Sequence, residues 1–320
     1  MFLRDFFKGY KKRGNKRVKT KNKTIAVTGI TGHTGKYFLE ELKKRKYKGK
    51  IKCLVRDSSD TKKLDESGLE IEKITGNIEN NQSINALLKD ADILVHIVNI
   101  KYSLKLVKAA KKNNVRRIIL VHTTGVYSKY KNASNGYKKV ERELEPYLED
   151  DSLDITILQP TMIYGDICDH NISKFIGLVD KLPFIPEVGR GSALIQPVNA
   201  RDLGKAYYQC AVANNLPQKY YIVSGKTVIS LHDMMKMISN NLGKKPHFIS
   251  IHPGIAEMAA KIIRLLSFKK IDLVEKVQRL SENRNYSNEN ARKDFLYNPE
   301  DFNTGLKREV EQYLEAKNAR

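Results

Sequence analysis

Three glycines at a fixed spacing are the residues of this sequence with the clearest chemical use. Gly29, Gly32 and Gly35 stand three residues apart in TGITGHTG (28–35), between an apolar run and an amphipathic one. Such a turn lets the backbone approach a pyrophosphate, and the helix that follows presents unpaired N–H groups to the phosphates. We therefore expect a dinucleotide-binding loop, with a merely structural turn as the alternative. The other candidate ligands within the loop are Thr31, His33 and Thr34.

The end of the second predicted strand bears on the choice between NAD and NADP. An acidic residue there would hold the ribose 2′-hydroxyl, whereas an arginine accommodates a 2′-phosphate. The chain reads LVRD (54–57), with Arg56 directly after the strand and Asp57 next to it. Arg56, with His33 as a second positive group, favours NADP(H). Asp57 keeps NAD(H) open.

The elements that must position these residues alternate along the chain. The apolar runs predict strands at residues 24–28, 51–55, 71–75, 93–98, 117–122, 155–158 and 220–224. The amphipathic stretches between them predict helices at residues 36–45, 83–88, 104–112 and 138–148. This alternation predicts the α/β class, with a Rossmann-type doubly wound parallel sheet.

The later part of the chain predicts a second unit. Residues 230–243 carry helical periodicity between a capping serine and a closing glycine, and residues 251–283 are also predicted to be helical. We therefore expect three parts. They are a basic N-terminal tail (1–23), an NAD(P)-binding Rossmann domain (24–165, also receiving roughly 193–228) and a smaller C-terminal substrate-binding lobe (166–192 and 229–320).

The charge of the chain is strongly positive and unevenly spread. The net charge is +22, and residues 1–23 hold ten lysines and arginines against one acidic residue, Asp5. This tail is either a solvated extension or, with its early aromatic residues, a weak contact to an anionic membrane surface. No recognition motif supports nucleic-acid binding. Three widely spaced cysteines predict no metal site and favour a reducing, cytoplasmic setting, with contact to the inner face of the membrane left open.

Further motifs extend the glycine loop into a family pattern. They are TGNIEN (75–80), RRIILVHTTGVYS (116–128), TILQPTMIYGD (156–166), QPVNARDLGKAY (196–207) and YYIVSG (220–225). With them the chain resembles the extended and atypical short-chain dehydrogenases/reductases of the NAD(P)-dependent epimerase/dehydratase type, over about residues 24–243. The resemblance implies that Asn77 and Ile78 contact the adenine and that Pro160 lies at the cofactor. Gln159 stands where most relatives have an arginine.

The same resemblance implies a catalytic set. Related enzymes use a Ser or Thr after the fifth strand, and a Tyr and a Lys four residues apart on the next helix. Thr123 and Tyr137 match the first two, but Glu141 stands at the position of the lysine. Some atypical relatives keep a lysine and dispense with the tyrosine, so Lys138 is the candidate for that part. A neighbouring cation is needed because it lowers the pKa of a tyrosine that must exchange protons near neutral pH.

The expected function follows from these residues. We predict an NAD(P)-dependent oxidoreductase or epimerase that acts on a hydroxyl or carbonyl of a small polar substrate, with a nucleotide-sugar as the implied class. The resemblance implies Asn171 at the substrate diphosphate and Arg190, in a GRG loop, near the same crevice. The altered catalytic set favours the alternative, a non-catalytic NADP(H)-binding sensor or assembly protein. A homodimer is compatible with either.

Overall fold

The computed structural model describes residues 23–267, 270 and 272–319. The strands are β1 (Ile25–Thr28), β2 (Ile51–Val55), β3 (Ile71–Thr75), β4 (Ile93–His96), β5 (Arg117–Val121), β6 (Asp154–Pro160), β7 (Ile163–Tyr164), β8 (Phe184–Val188), β9 (Leu194–Ile195), β10 (Val198–Asn199), β11 (Tyr220–Val223), β12 (Ile229–Ser230) and β13 (His247–Ile251). The helices are α1 (Gly35–Lys44), α2 (Lys62–Asp65), α3 (Asn81–Leu88), α4 (Ser103–Lys112), α5 (Lys131–Leu148), α6 (Ile172–Lys181), α7 (Ala200–Val212), α8 (Leu231–Leu242), α9 (Pro253–Leu266), α10 (Val274–Arg279), α11 (Glu289–Phe295) and α12 (Phe302–Asn318).

Seven of the strands form one sheet, in the order β11-β6-β5-β4-β1-β2-β3. All neighbours in this sheet are parallel. The strand order reverses between β1 and β4, and in such sheets ligands bind in the crevice beyond the carboxyl ends of the strands at that point. The glycine loop follows β1 and therefore lies at this crevice. The predicted Rossmann-type doubly wound sheet is confirmed.

Helices cover both faces of the sheet, because its central strands are apolar on both sides. On one face α1 and α7 contribute Phe38, Leu42 and Tyr207, all completely buried. On the other face α3, α4 and α5 contribute Leu87 and Leu144, among others. Helices α1 and α7 touch at their backbones, so that the first turn after the glycine loop is held by tertiary packing as well as by its own hydrogen bonds.

A third apolar cluster lies in the C-terminal part of the chain. Helices α6, α8 and α12 meet around Ile176, Met234, Ile238 and Leu306. The methionine is part of this core, as its helical spacing predicts. Short strand pairs, β8 with β13 and β9 with β12, lie beside the cluster. This is the place of the expected substrate-binding lobe, whose bounds remain a prediction.

Two helix predictions need correction. Helix α5 begins at Lys131 rather than at residue 138, because the segment KNASNGY has poor helix formers and no apolar repeat to reveal it. The stretch 251–283 is not one helix but contains α9 and α10 with a break between them. Residues 1–22 of the basic tail lie outside the described residues. In the described ranges, no helix combines the length and the apolarity that crossing a membrane requires.

Candidate functional site

The glycine loop has the close backbone packing that its spacing predicts. Gly29 has a φ of +84°, and a Cβ atom there would lie 2.8 Å from Val98 Cγ2. A Cβ atom on Gly35 would lie 2.0 Å from the Gly29 carbonyl oxygen, so only glycine lets α1 start this close to the turn. Thr34 precedes the helix, and its side chain makes no capping hydrogen bond to the first turn. The N-terminus of α1 is therefore free to receive an anion.

A cavity of about 650 Å³ opens beside this loop. Its lining includes eight of the predicted cofactor residues, which come from the loops after β1, β2 and β3: Gly29, Thr31, Gly32, His33, Thr34, Arg56, Asn77 and Ile78. The apolar and aromatic part of the cavity wall includes Leu54, Val98 and Tyr102. A phosphate-binding turn at one end and a half-buried isoleucine wall at the other fit the chemistry of a dinucleotide.

Local hydrogen bonds fix the turns after β2 and β3, where Arg56 and Asn77 lie. Arg56 is exposed, and its backbone N–H donates to Ser59 Oγ at 3.1 Å. Asn77 Oδ1 accepts from the Glu79 N–H at 3.0 Å, which fixes the turn after β3. Arg56 thus lines the cavity from the end of β2, the position where an arginine favours a 2′-phosphate.

Asp166 connects the glycine loop to the chain beyond β7. Its Oδ2 atom lies 3.2 Å from His33 Nε2 and 2.6 Å from Lys36 Nζ, and it accepts from Tyr37 Oη at 2.8 Å. Burial alone would raise the pKa of Asp166, but these three hydrogen bonds outweigh it and hold that pKa far below its usual range. His33 was expected to face a phosphate of the cofactor. In the structure its Nε2 atom faces Asp166 instead. Sequence reasoning quoted Asp166 in a motif without giving it a role.

A second cavity of about 300 Å³ adjoins the first, and Ile163 lines both. Its lining comprises Thr123, Thr124, Gly125, Thr161, Met162, Ile163, Asn171, Ile195, Arg279 and Arg284. The predicted substrate residue Asn171 is therefore here, with its Nδ2 donating to the Ile163 carbonyl at 2.8 Å. We call this space the substrate cavity.

Thr123, which follows β5, and Tyr137, on α5, lie on either side of Gly125. Thr123 Oγ1 accepts from the Gly125 N–H at 3.0 Å, which leaves its own proton free to be donated. A Cβ atom placed on Gly125 would lie 3.3 Å from Thr123 Oγ1 and 3.2 Å from Tyr137 Cε2, so both side chains border this glycine. Thr123 and Tyr137 are therefore close in space, and their catalytic roles remain a prediction.

Glu141 is part of a buried polar chain rather than a partner of Tyr137. Its Oε1 atom accepts from Gln159 Nε2 at 3.0 Å and lies 3.2 Å from His122 Nδ1. Gln159 Oε1 in turn accepts from Tyr127 Oη at 2.6 Å, and His122 Nε2 lies 3.0 Å from Ser103 Oγ. The replacement of the usual arginine by Gln159 thus has a structural reason, because this amide links Glu141 to Tyr127.

The surroundings of His122 favour its neutral form. Burial lowers the pKa of His122, and the hydrogen bond and charge of Glu141 oppose the shift only in part. The hydrogen bonds assign His122 the tautomer with a proton on Nδ1, which donates to Glu141, while Nε2 accepts from Ser103. The position four residues after Tyr137 therefore holds a buried acidic side chain bonded to Gln159 and His122, and not a lysine.

Two arginines that the sequence analysis did not select line the substrate cavity. The Nε atoms of Arg279 and Arg284 have no hydrogen-bond partner within the described part of the chain. The nearby carboxylate of Glu282 accepts from the Lys129 N–H at 2.7 Å and from Ser128 Oγ at 3.0 Å, and its Oε2 atom lies 4.0 Å from Arg279 Nε as an ion pair. This one carboxylate faces two arginines. Burial, followed by the charge of Arg279, lowers the pKa of Arg284. The cavity therefore has positive charge in excess and suits an anionic group.

The remaining predicted residues lie elsewhere. Lys138 is exposed, at the position after Tyr137, where a helix turns the next side chain away. Arg190 is exposed in a turn between β8 and β9 that packs against β13 and α8. Pro160 ends β6, and its carbonyl accepts from Thr124 Oγ1 at 3.1 Å. None of these three residues lines either of the two cavities, and their predicted roles remain predictions.

The comparisons with known proteins agree with this geometry. Residues 29–172 match the family model for NAD(P)H-binding proteins. A 4-hydroxy-tetrahydrodipicolinate reductase from Buchnera aphidicola subsp. Cinara cedri is 28% identical over 187 residues, which are 58% of this chain. The chain thus spans 64% of that curated relative's length.

Among solved structures the chain is similar to nucleotide-sugar enzymes. A nucleoside-diphosphate-sugar epimerase from Pseudomonas aeruginosa has a TM-score of 0.72 at 14% identity, covering 92% of this chain and 98% of its own. The UDP-N-acetylglucosamine 4-epimerase from Methanobrevibacter ruminantium has a TM-score of 0.68 at 18% identity, covering 92% and 99%. The dTDP-glucose 4,6-dehydratase from Bacillus anthracis, solved with NAD, has a TM-score of 0.67 at 15% identity, covering 92% and 98%.

Residues 29–172 thus match an NAD(P)H-binding family model, and the chain has a Rossmann-like fold. The fold is similar to that of the epimerases and the dehydratase named above, and the resemblance predicted from the motifs is confirmed at the level of the fold.

Proposed function

We propose that the chain is an NADP(H)-dependent oxidoreductase or epimerase that acts on a hydroxyl or carbonyl group of a small anionic substrate, with nucleotide-sugars as the substrate class. The observation that carries the proposal is the adjacency of the two cavities. A cavity suited to a dinucleotide and a cavity with Thr123 and two arginines share Ile163 as a common wall. The names of the structural neighbours support the substrate class.

The residues of the chain divide the work in the following way. Gly29, Gly32 and the first turn of α1 would hold the pyrophosphate of NADP(H), and this cofactor would supply or accept a hydride when bound. Thr123 would donate a hydrogen bond to the substrate oxygen and so orient it. Arg284 would bind the substrate anion, since charge-assisted bonds from a partly desolvated guanidinium are strong.

The substrate side of the proposal is tested with UDP and a panel of UDP- and dTDP-sugars. We expect Arg284→Met to weaken UDP binding by about tenfold or more, since a charge-assisted bond contributes about 1.5–3 kcal/mol. We expect Thr123→Val to lower turnover by about 100-fold, because the valine cannot donate the orienting bond. Calorimetry measures binding, and absorbance of the nicotinamide measures turnover.

A matched variant separates a site effect from loss of charge. Arg142→Met removes an exposed arginine on α5 and should leave UDP binding unchanged. NADPH affinity should be the same in all three variants. If Arg284→Met binds UDP as tightly as the unaltered protein, or if no nucleotide-sugar on the panel is turned over, the proposed substrate class is wrong.

The cofactor preference has a separate test at Arg56. We expect Arg56→Glu to reduce the ratio of NADPH affinity to NADH affinity by about 100-fold, because it replaces a phosphate-binding cation with an acidic residue that suits a 2′-hydroxyl. Fluorescence titration with both nucleotides measures the ratio. Asp57→Asn is the control at the neighbouring position. An unchanged ratio in Arg56→Glu would place the selectivity elsewhere.

A second candidate function is a non-catalytic NADP(H) sensor, and Glu141 favours it. The buried Glu141–His122 pair stands where related enzymes need a cation, so acid–base help for Tyr137 from that position is missing. The two candidates differ in one measurement. Tight NADPH binding without turnover on any nucleotide-sugar or carbonyl compound supports the sensor, whereas turnover that depends on Thr123 supports the enzyme.

A further inference from the structure

Helix α9 presents most of its apolar side chains to solvent. Six of the twelve large apolar residues that are exposed in the described part of the chain lie on this one helix. Their exposed fractions are 57% for Ile255, 57% for Met258, 49% for Ile262, 42% for Ile263, 76% for Leu265 and 73% for Leu266. Soluble proteins rarely leave such a contiguous patch uncovered unless it contacts a partner or a membrane.

The exposed patch belongs to a well-formed helix. Pro253 occupies its first turn, and His252 Nδ1 accepts from the Gly254 N–H at 3.2 Å as a cap. The opposite side of the helix packs on α10, where Ala260 is only 2% exposed. The apolar stripe is therefore displayed on a defined scaffold.

The surroundings of the patch are cationic. Between Lys244 and Arg279 the chain has eight lysines and arginines and three acidic residues. On α9 itself Lys261 pairs with Glu257 at 2.8 Å, and Arg264 lies 3.3 Å from Asp272. These two pairs account for two of the three acidic residues. The apolar stripe therefore lies in a region of net positive charge on a chain whose total is +22.

We propose that α9 lies on the surface of an anionic membrane, with its apolar stripe in the boundary between headgroups and acyl chains. An exposed apolar helix face beside basic residues is the pattern of helices that lie in this interface. Charge decides between a membrane and a second copy of the chain. A self-complementary contact through α9 would bring two net positive regions together, whereas anionic headgroups attract them.

Docking in this way would bring the substrate cavity near the bilayer. Helix α10 packs on α9 and ends at Arg279, which lines that cavity. The proposal does not depend on the cofactor or on turnover, since no residue of α9 lines either cavity described above. It also concerns a different part of the chain from the basic tail.

The test is flotation of the full-length protein with vesicles of phosphatidylcholine, with and without about one third phosphatidylglycerol. We expect binding to the anionic vesicles only. The double variant Ile262→Glu/Leu266→Glu should bind them about tenfold or more weakly, because it places two carboxylates in the stripe. The matched control Val228→Glu/Leu296→Glu adds the same charge at two exposed apolar residues elsewhere and should lose less than about twofold.

Two further readouts decide between the alternatives. Unchanged NADPH affinity in both double variants shows that the fold is intact. A third full-length variant, Phe6→Ser/Phe7→Ser, tests the tail and should keep most of the binding. The proposal is overturned if the protein binds no anionic vesicle, or if only the tail variant loses binding. It is equally overturned if light scattering shows a dimer that the α9 variant converts to a monomer while vesicles bind neither.

Discussion

Replacing Gly32 by valine should weaken NADPH binding by about 100-fold or more while the protein stays folded. Gly32 lines the cavity of about 650 Å³ beside the glycine loop. Its φ angle is not positive, so the backbone conformation there is open to other residues. An added Cβ atom would lie 3.2 Å from the Gly29 carbonyl oxygen, a tight contact that a small shift relieves. The two methyl groups of valine would then occupy space at the phosphate-binding turn. Fluorescence titration with NADPH measures the loss.

The control for this variant is a glycine that lies away from the cavity. Gly177 is in the middle of α6, and a Cβ atom there meets no atom within 4 Å. Gly177→Val should leave NADPH affinity unchanged, and both variants should stay within about 1 kcal/mol of the unaltered free energy of unfolding. NADPH affinity that is untouched in Gly32→Val would show that the glycine loop is only a structural turn.

Replacing Glu141 by lysine should lower the free energy of unfolding by about 3–5 kcal/mol, although it restores the Tyr–Lys spacing of related enzymes. The side chain at position 141 is buried among His122 and Gln159, both of which need an acceptor there. A lysine would remove that acceptor and bury an uncompensated cation. Urea unfolding, followed by circular dichroism, measures the change.

Two companions make the Glu141 result interpretable. Glu141→Gln keeps the shape and one acceptor oxygen, so we expect a loss of only about 1–2 kcal/mol. Glu145→Lys makes the same charge change one turn further along α5 at an exposed position, and should stay within about 0.5 kcal/mol. If Glu141→Lys is as stable as Glu145→Lys, the buried chain around Glu141 does not support the fold.

The sequence predicted the sheet and the close packing of the glycine loop because both depend on local patterns. Alternating apolar runs and amphipathic stretches are visible residue by residue, and the glycine spacing defines the turn at the end of β1. Arg56 could be placed for the same reason, since the carboxyl ends of adjacent parallel strands meet at one edge of a sheet. Asn77 was predicted from the family resemblance.

The substrate cavity was less predictable because distant segments build it. Arg279 and Arg284 follow Thr123 by more than 150 residues and line the same cavity only in the folded chain. The sequence analysis predicted helix over 251–283, and this prediction gave no sign that the segment reaches the cavity. Glu141 was recognised as a departure from the family pattern. Its partner His122 lies just after β5 and its partner Gln159 lies on β6, so no spacing within α5 could reveal them. Arg190 lies in a basic, glycine-flanked loop that the resemblance placed near the substrate. In the structure this loop packs against β13 and α8, and Arg190 does not line the substrate cavity.

The most direct test of this account is a calorimetric titration of the unaltered protein with NADPH and with NADH. We predict one binding site per chain for NADPH, with tighter binding than for NADH, because the cavity after β1 combines a phosphate-binding turn with Arg56. Absence of binding by both nucleotides would contradict the assignment of that cavity as the cofactor site.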